Sequence, residues 1–157
     1  MTDQVRRAAA QRQREAEAGT VSRLQRVLGT VRQINRLIVR ERDRQRLIEG
    51  ACACLVEGRG YGAAWVALID ETLKPTSFAG LGYGEFWPVF AQHLRDGHLP
   101  DCASLALSRS GAHTHDRQAA LCVGCSVVQD KGGHGTMVVR IELEGRMFGI
   151  VGVRLPR

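Results

Sequence analysis

No run in this sequence approaches the ~18–20 uncharged apolar residues that a membrane-spanning helix requires, so none is expected. The start, Met1-Thr2-Asp3-Gln4, is polar and leads into Arg and Ala, which is not a secretion signal. Lysine is nearly missing, since 20 of the 22 basic residues are Arg. The nucleotide-binding glycine patterns are missing too. Gly80-Leu81-Gly82-Tyr83-Gly84 lacks the third glycine of a dinucleotide fingerprint and the Gly-Lys-Ser/Thr of a phosphate loop. It also opens no βαβ unit, so phosphate binding is dismissed. There is no Gly-x-Ser-x-Gly elbow and no His-Glu-x-x-His, so the sequence carries neither of those hydrolase signatures.

What is present describes a folded domain with an appendage. The chain has 157 residues, of which 44% are hydrophobic and 24% charged. That composition excludes disorder, collagen and low complexity for most of the length. Charge is unevenly placed. Residues 1–50 carry 12 Arg against 6 Asp/Glu, whereas residues 51–157 carry 10 of each sign. The net +6 therefore belongs to the first third. A nucleic-acid-binding domain usually carries its charge on the folded part, so a solvated helix face is the better reading. The five cysteines, Cys52, Cys54, Cys102, Cys122 and Cys125, are odd in number and lack a secretion signal. They read as thiols or metal ligands in a reducing cytoplasm, not as a disulfide framework.

Residues 1–20 are rich in Arg, Gln, Ala and Glu, with no face to bury, and are expected to be a frayed helical arm. From there Val21, Leu24, Leu28, Val31, Asn35 and Ile38 recur at alternating spacings of 3 and 4. That is an a/d seam with one polar position, and a buried Asn at a fixes register in a parallel two-stranded coil. The alternative is one amphipathic helix packed on its own domain. Arg40-Glu41-Arg42-Asp43-Arg44 interrupts the stripe, Asp43 is placed to cap a second helix, and Gly58 and Gly60 end it. Residues 21–57 thus form amphipathic leading helices, and residues 58–157 form the domain. Gly62 to Asp70 reads as a buried strand, Thr76 to Ala79 as a second, and residues 85–97 as a helix. Another helix starts at Pro100-Asp101, and residues 112–115 form a strand. A loop over 117–133 leads to a hairpin, Thr136 to Leu143 and Met147 to Leu155, turning at Glu144-Gly145. This order gives an α+β domain on a largely antiparallel sheet.

Ile34 to Asp43, followed by Leu47-Ile48, Cys52 and Leu55, leads into Gly60 to Asp70. This stretch resembles the leading helix and first strand of GAF domains in bacterial sensor histidine kinases. Met137 to Ile141 and Gly145 to Val153 resemble the closing hairpin of the same domains. Cys102 with Cys122-Val123-Gly124-Cys125 is similar to a cysteine-bearing subgroup. The likeness covers about residues 30–157. It implies an antiparallel sheet, helices on one face, a ligand pocket on the other, and terminal helices that dimerise and pass the signal on. No kinase, cyclase or DNA-binding segment follows Leu155-Pro156-Arg157, so the expected output is a partner in trans or the rest of a larger sensor.

Cys122-x-x-Cys125 is the first candidate for chemistry, since two thiolates at this spacing in a turn can share one metal. Cys102 is the third ligand candidate. Cys52, Cys54, His113 and His115 are candidates for the fourth, with zinc or an iron–sulfur cluster as the cofactor. Cys52 and Cys54 cannot both point inward from one helix, whereas His113 and His115 share one strand face. Each of these residues has an inert reading as packing or surface. Trp65, Phe78, Trp87, Phe90, His93 and Arg140 are the pocket candidates, with the hydrophobic core as the alternative for the aromatics. Bilin-binding members of the fold attach the pigment through a cysteine commonly followed by His. Here Ala, Leu, Ala, Val and Ser follow the five cysteines, which argues against bilin. The expectation is a non-enzymatic cytoplasmic sensory module, binding a small ligand or a Cys-ligated metal or redox centre. It would signal through its N-terminal helix as a parallel homodimer, or to a histidine kinase or other signalling partner. The alternatives are a thiol enzyme of the free methionine sulfoxide reductase type and a structural dimerisation domain without ligand.

Overall fold

The computed structural model describes residues 3–115, 125 and 135–156. α1 (Asp3–Arg40) is one helix of 38 residues, about 57 Å long at the usual helical rise. Residues 3–20 belong to it. They bury nothing and are supported locally, by Asp3–Arg7 at 2.8 Å, Gln11–Glu15 at 3.2 Å and Gln13–Glu17 at 3.0 Å. Each pair is one turn apart, the spacing at which helical side chains meet. The helix stops at Arg40, where the charged run begins. Asp43 then caps α2 (Arg44–Ala53), its carboxylate accepting from Arg46 N at 2.8 Å. α2 continues as a one-turn π-helix, Cys54–Gly58. Here α1 touches the body: Thr30 is the buried residue of α1, and a Cβ on Gly58 would lie 2.8 Å from Thr30 Oγ1.

Among the described residues five strands follow, β1 (Ala63–Ile69), β2 (Pro75–Leu81), β3 (Ala112–His115), β4 (Thr136–Leu143) and β5 (Arg146–Arg154). They form one antiparallel sheet in the order β2-β1-β5-β4-β3. Asp70 shapes the β1–β2 turn. Its Oδ1 accepts from Thr72 Oγ1 at 2.7 Å, Thr72 N at 2.8 Å and Lys74 N at 3.1 Å. The hydroxyl bond from Thr72, then the Lys74 amide, hold this carboxyl below its ordinary pKa. Glu144 and Gly145 both have positive φ, 51° and 78°, as a tight hairpin turn of the primed type requires.

α3 (Trp87–Arg95) and α4 (Asp101–Ser108) lie between β2 and β3 in the chain. An inner strand, β1, decides the layering. Successive residues of β1 point to opposite faces, and β1 is apolar on both. Ala63, Trp65, Ala67 and Ile69 join Phe90, Leu94, Cys102, Ala103 and Ile150 in the layer under α3 and α4. Ala64 and Val66 join Ile48, Cys52, Ala79 and Val153 under α2. The result is an α+β fold on an antiparallel sheet, as the element order in the sequence predicts. Helices cover both faces, whereas the resemblance implied helices on one face and a pocket on the other, because β1 is apolar on both sides and each must be buried. Among the described residues no helix is long and apolar enough to cross a membrane.

Candidate functional site

The layer under α3 and α4 gathers the four aromatic candidates and two of the five cysteines. Trp65 is central. Its pairing partners on the flanking strands are Gly80 of β2 and Gly152 of β5. Neither has a side chain, so flat rings can lie there. A Cβ on Gly152 would overlap the Trp65 indole, and one on Gly80 would overlap the Trp87 indole. Trp65 meets Phe90 edge-on at 5.1 Å and 73°, and Trp87 lies 5.8 Å from Phe90. Phe78 and Trp87 pack against the same cluster. Trp65 and Phe90 are 3% and 2% exposed, so these rings are packing surface as the chain stands.

Tyr83 completes the layer, and sequence reasoning missed it. It lies in the glycine-rich loop and is 2% exposed. Gly82 and Gly84 beside it have φ of 90° and 54°, a conformation cheap only for glycine. That reversal turns the intervening ring inward, stacked on Trp87 at 6.1 Å and 20°. Glycines alternating around one aromatic were the available signal. The Arg154 guanidinium lies 5.7 Å from the ring centre, and its Nη2 donates to Gly62 O at 3.0 Å and Gly82 O at 3.1 Å. Burial pushes the Tyr83 hydroxyl well above its ordinary pKa, and Arg154 offsets part of this. Thiolates at Cys52, Cys125 or Cys102 would push it further.

The cysteines divide between layers. Cys102, in the first turn of α4, is buried in the Trp65 and Tyr83 cluster, and Cys125 packs against that cluster, half-buried. Cys52 belongs to the opposite layer, under α2, with its Sγ 3.7 Å from Ala79 O. Burial pushes its thiol up to about 12, so it stays protonated at neutral pH. Cys54 lines a groove between α1 and α2, with Gln33, Arg36, Leu37, Arg40, Glu41 and Gly50. Burial, then the charge of Glu57, raises its pKa as well. Cys122 lies outside the described residues, as does most of the 117–133 loop. Among the described residues no three His, Cys, Asp or Glu side chains come together as a metal site.

The remaining candidates are spread out. His113 and His115 share one face of β3, the edge strand farthest from β2. His113 Nε2 is 3.1 Å from Arg109 O. His115 Nε2 and Thr136 Oγ1, on residues facing each other across β3 and β4, are buried without hydrogen-bond partners among the described residues. His93 is exposed on α3. Arg140 serves the end of α4, where its Nη1 donates to Leu107 O at 3.0 Å. A cation there meets the negative end of the helix dipole. Its Nε lies 2.6 Å from Glu142 Oε2, an ion pair without hydrogen-bond alignment.

No protein-family profile and no curated protein matches this sequence. Solved structures do match. A GAF domain from A. aeolicus, in an inactive state, aligns with TM-score 0.64 over 86% of this chain and 82% of its own, at 9% identity. The fold is that of GAF domains. The GAF domain of an Acinetobacter phosphoenolpyruvate-protein phosphotransferase gives 0.58, at 12% identity over 83% and 77% of the two chains. A free methionine-R-sulfoxide reductase from Neisseria meningitidis, with its substrate, gives 0.54 at 16% identity over 80% and 71%.

Proposed function

We propose that this GAF-fold chain is a non-catalytic regulatory module of the cytoplasm. Its sensing site is the thiol and aromatic layer under α3 and α4, and its output is α1. The observation that carries this reading is the meeting of Cys102 and Cys125 with Tyr83, Trp65 and Phe90 on one buried cluster. The layer admits two kinds of occupant. A small organic ligand would enter between the rings, and Trp65, Phe78, Trp87 and Phe90 would line it. A zinc or iron–sulfur centre would take Cys102, Cys122 and Cys125, all soft sulfur donors suited to either. Either occupant acts only by preferring one of two arrangements. α1 carries Val21, Leu24, Leu28, Val31 and Ile38 about half exposed along one stripe with Asn35. This stripe is the seam for a parallel homodimer or for a histidine kinase or similar partner.

Anaerobic purification followed by metal and acid-labile sulfide analysis, with a visible spectrum, tests the site. Iron with sulfide, and a brown colour bleached by air, would make the module a redox or oxygen sensor. One zinc per chain, lost in Cys122→Ser, would make the cysteines a clamp. Absence of both leaves the organic ligand, to be sought by thermal-shift screening. If neither a metal nor any screened ligand is bound, the chain is a dimerisation domain alone.

The presence of Cys102 and Cys125 on one cluster also favours one enzymatic reading. The N. meningitidis neighbour, and a similar S. aureus structure at 17% identity and TM-score 0.51, are reductases solved with substrate. Two thiols here would give two electrons to a sulfoxide sulfur, leaving a thioether, water and a disulfide that an external thiol reduces. Turnover of free methionine sulfoxide with dithiothreitol, abolished in both Cys102→Ser and Cys125→Ser, would establish it. No turnover would leave the regulatory reading standing alone.

A further inference from the structure

Among the described residues β2 is the outer strand of the sheet, paired on one side only, with β1. Its open side is not a bare surface. A groove of about 500 Å³ runs along it, walled by Gln45 and Glu49 of α2 on one side and by Trp87, Ala91 and Arg95 of α3 on the other. The ladder fixes which backbone groups face this groove. Phe78 O accepts from Gln45 Nε2 at 3.0 Å, so it points away from β1. Antiparallel alternation then turns the N–H and C=O of Phe78 and of Gly80 outward together. The Gln45 amide holds the place that the amide of a neighbouring strand would take.

We propose that this groove binds an extended peptide, which adds a sixth strand beside β2. Main-chain pairing to a sheet edge gives affinity, and alternate side chains give specificity. A guest residue paired with Phe78 points its side chain the same way as Phe78, toward α3. There it meets Trp87 and Ala91, so that set is apolar. The neighbouring guest residues point toward α2 and meet the Glu49 carboxylate, so that set is basic. The walls also choose between a single strand and a second copy of this chain. Another sheet edge would bring its own α2 and α3 against these two, whereas one extended peptide fits between them. This proposal does not depend on the sensing site.

The probe is an acetylated, amidated seven-residue peptide of alternating lysine and valine. Its control carries N-methyl groups on the valines, whose N–H groups would face β2. Binding is followed by NMR, with amide hydrogen exchange at Phe78 and Gly80. The expected result is binding that protects both amides, and about tenfold or greater weakening on N-methylation. Glu49→Lys should weaken binding, and Gln45→Ala, which uncovers Phe78 O, should tighten it. Both residues are exposed, so both variants should fold, and their amide spectra report it. Equal binding of the N-methylated peptide, no binding, or binding without protection at Phe78 and Gly80 would overturn the proposal. Protection that appears without peptide and rises with protein concentration would assign the edge to a second copy and overturn it as well.

Discussion

Gly152 and Gly80 are where the aromatic layer depends on a missing side chain. Gly152→Ala drives a methyl into the Trp65 indole, which is flanked by β strands and cannot move freely. Overpacking of this kind costs about 1–3 kcal/mol, which a lower urea midpoint would show. Gly29→Ala is the control, since nothing lies within 4 Å of its added Cβ. In an exposed helix it should be neutral or stabilising by up to ~1 kcal/mol. Cys52 makes a pH prediction. Its folded pKa of about 12 exceeds the ordinary 9.0, so above pH 9 the unfolded chain loses this proton first. Stability is full below the unfolded pKa and falls as pH rises toward the folded one. Tyr83, raised by burial, acts in the same direction above its own ordinary value. Urea unfolding at a series of pH values from 7 to about 11 should show the decline, and Cys52→Ala should lessen it by up to ~1.4 kcal/mol per pH unit. An unchanged slope in Cys52→Ala would show that this thiol titrates normally.

At the scale of elements, α1 has two separable jobs. Its contact with the body is Thr30 against Gly58, and Leu37 against Gly50, where a Cβ would lie 2.6 Å from a Leu37 methyl. Its other side bears the half-exposed seam. Leu28→Asp should therefore dissociate a dimer in sedimentation velocity while leaving the melting of the sheet nearly unchanged. Asn35→Leu should raise the stability of the assembly or change its order, because a buried Asn is what restricts register and strand number. A monomer at all concentrations before mutation would refute the seam. Gly58→Val strikes the other job. It should loosen α1 from the π-helix and cost about 1–3 kcal/mol, read as faster amide exchange around Thr30.

At the scale of the whole molecule, α1 reaches far beyond the sandwich, and its first 20 residues bury nothing. Deleting residues 1–20 should shift the melting temperature by less than ~2 °C, since that shift corresponds to about 0.5–1 kcal/mol in a chain this size. A larger drop would mean that the segment packs on something, either the sheet or a second copy. The cores lie on both faces of one sheet, so on the proposed reading a change in the α3 and α4 layer would reach α2, and through it α1, across β1.

Periodicity and turn chemistry are local, and the sequence by itself determined what they govern. The helix break at Arg40, the Asp43 cap, the two-faced β1, the Glu144-Gly145 hairpin and the α+β class follow from residues within a few positions of one another. The rings of Trp65, Phe78, Trp87 and Phe90 were legible as large apolar groups that favour burial, but the sequence grouped them with His93 and Arg140, which lie elsewhere. Only the tertiary structure separated Cys52 from Cys102 and Cys125, since the face a side chain occupies depends on strand order and helix docking. Only it showed Arg140 at the end of α4, Tyr83 turned inward between glycines, and the groove beside β2. Each of these depends on residues far apart in the chain whose meeting no local pattern encodes. Strand order decides them, and strand order is set by the packing of two apolar faces at once.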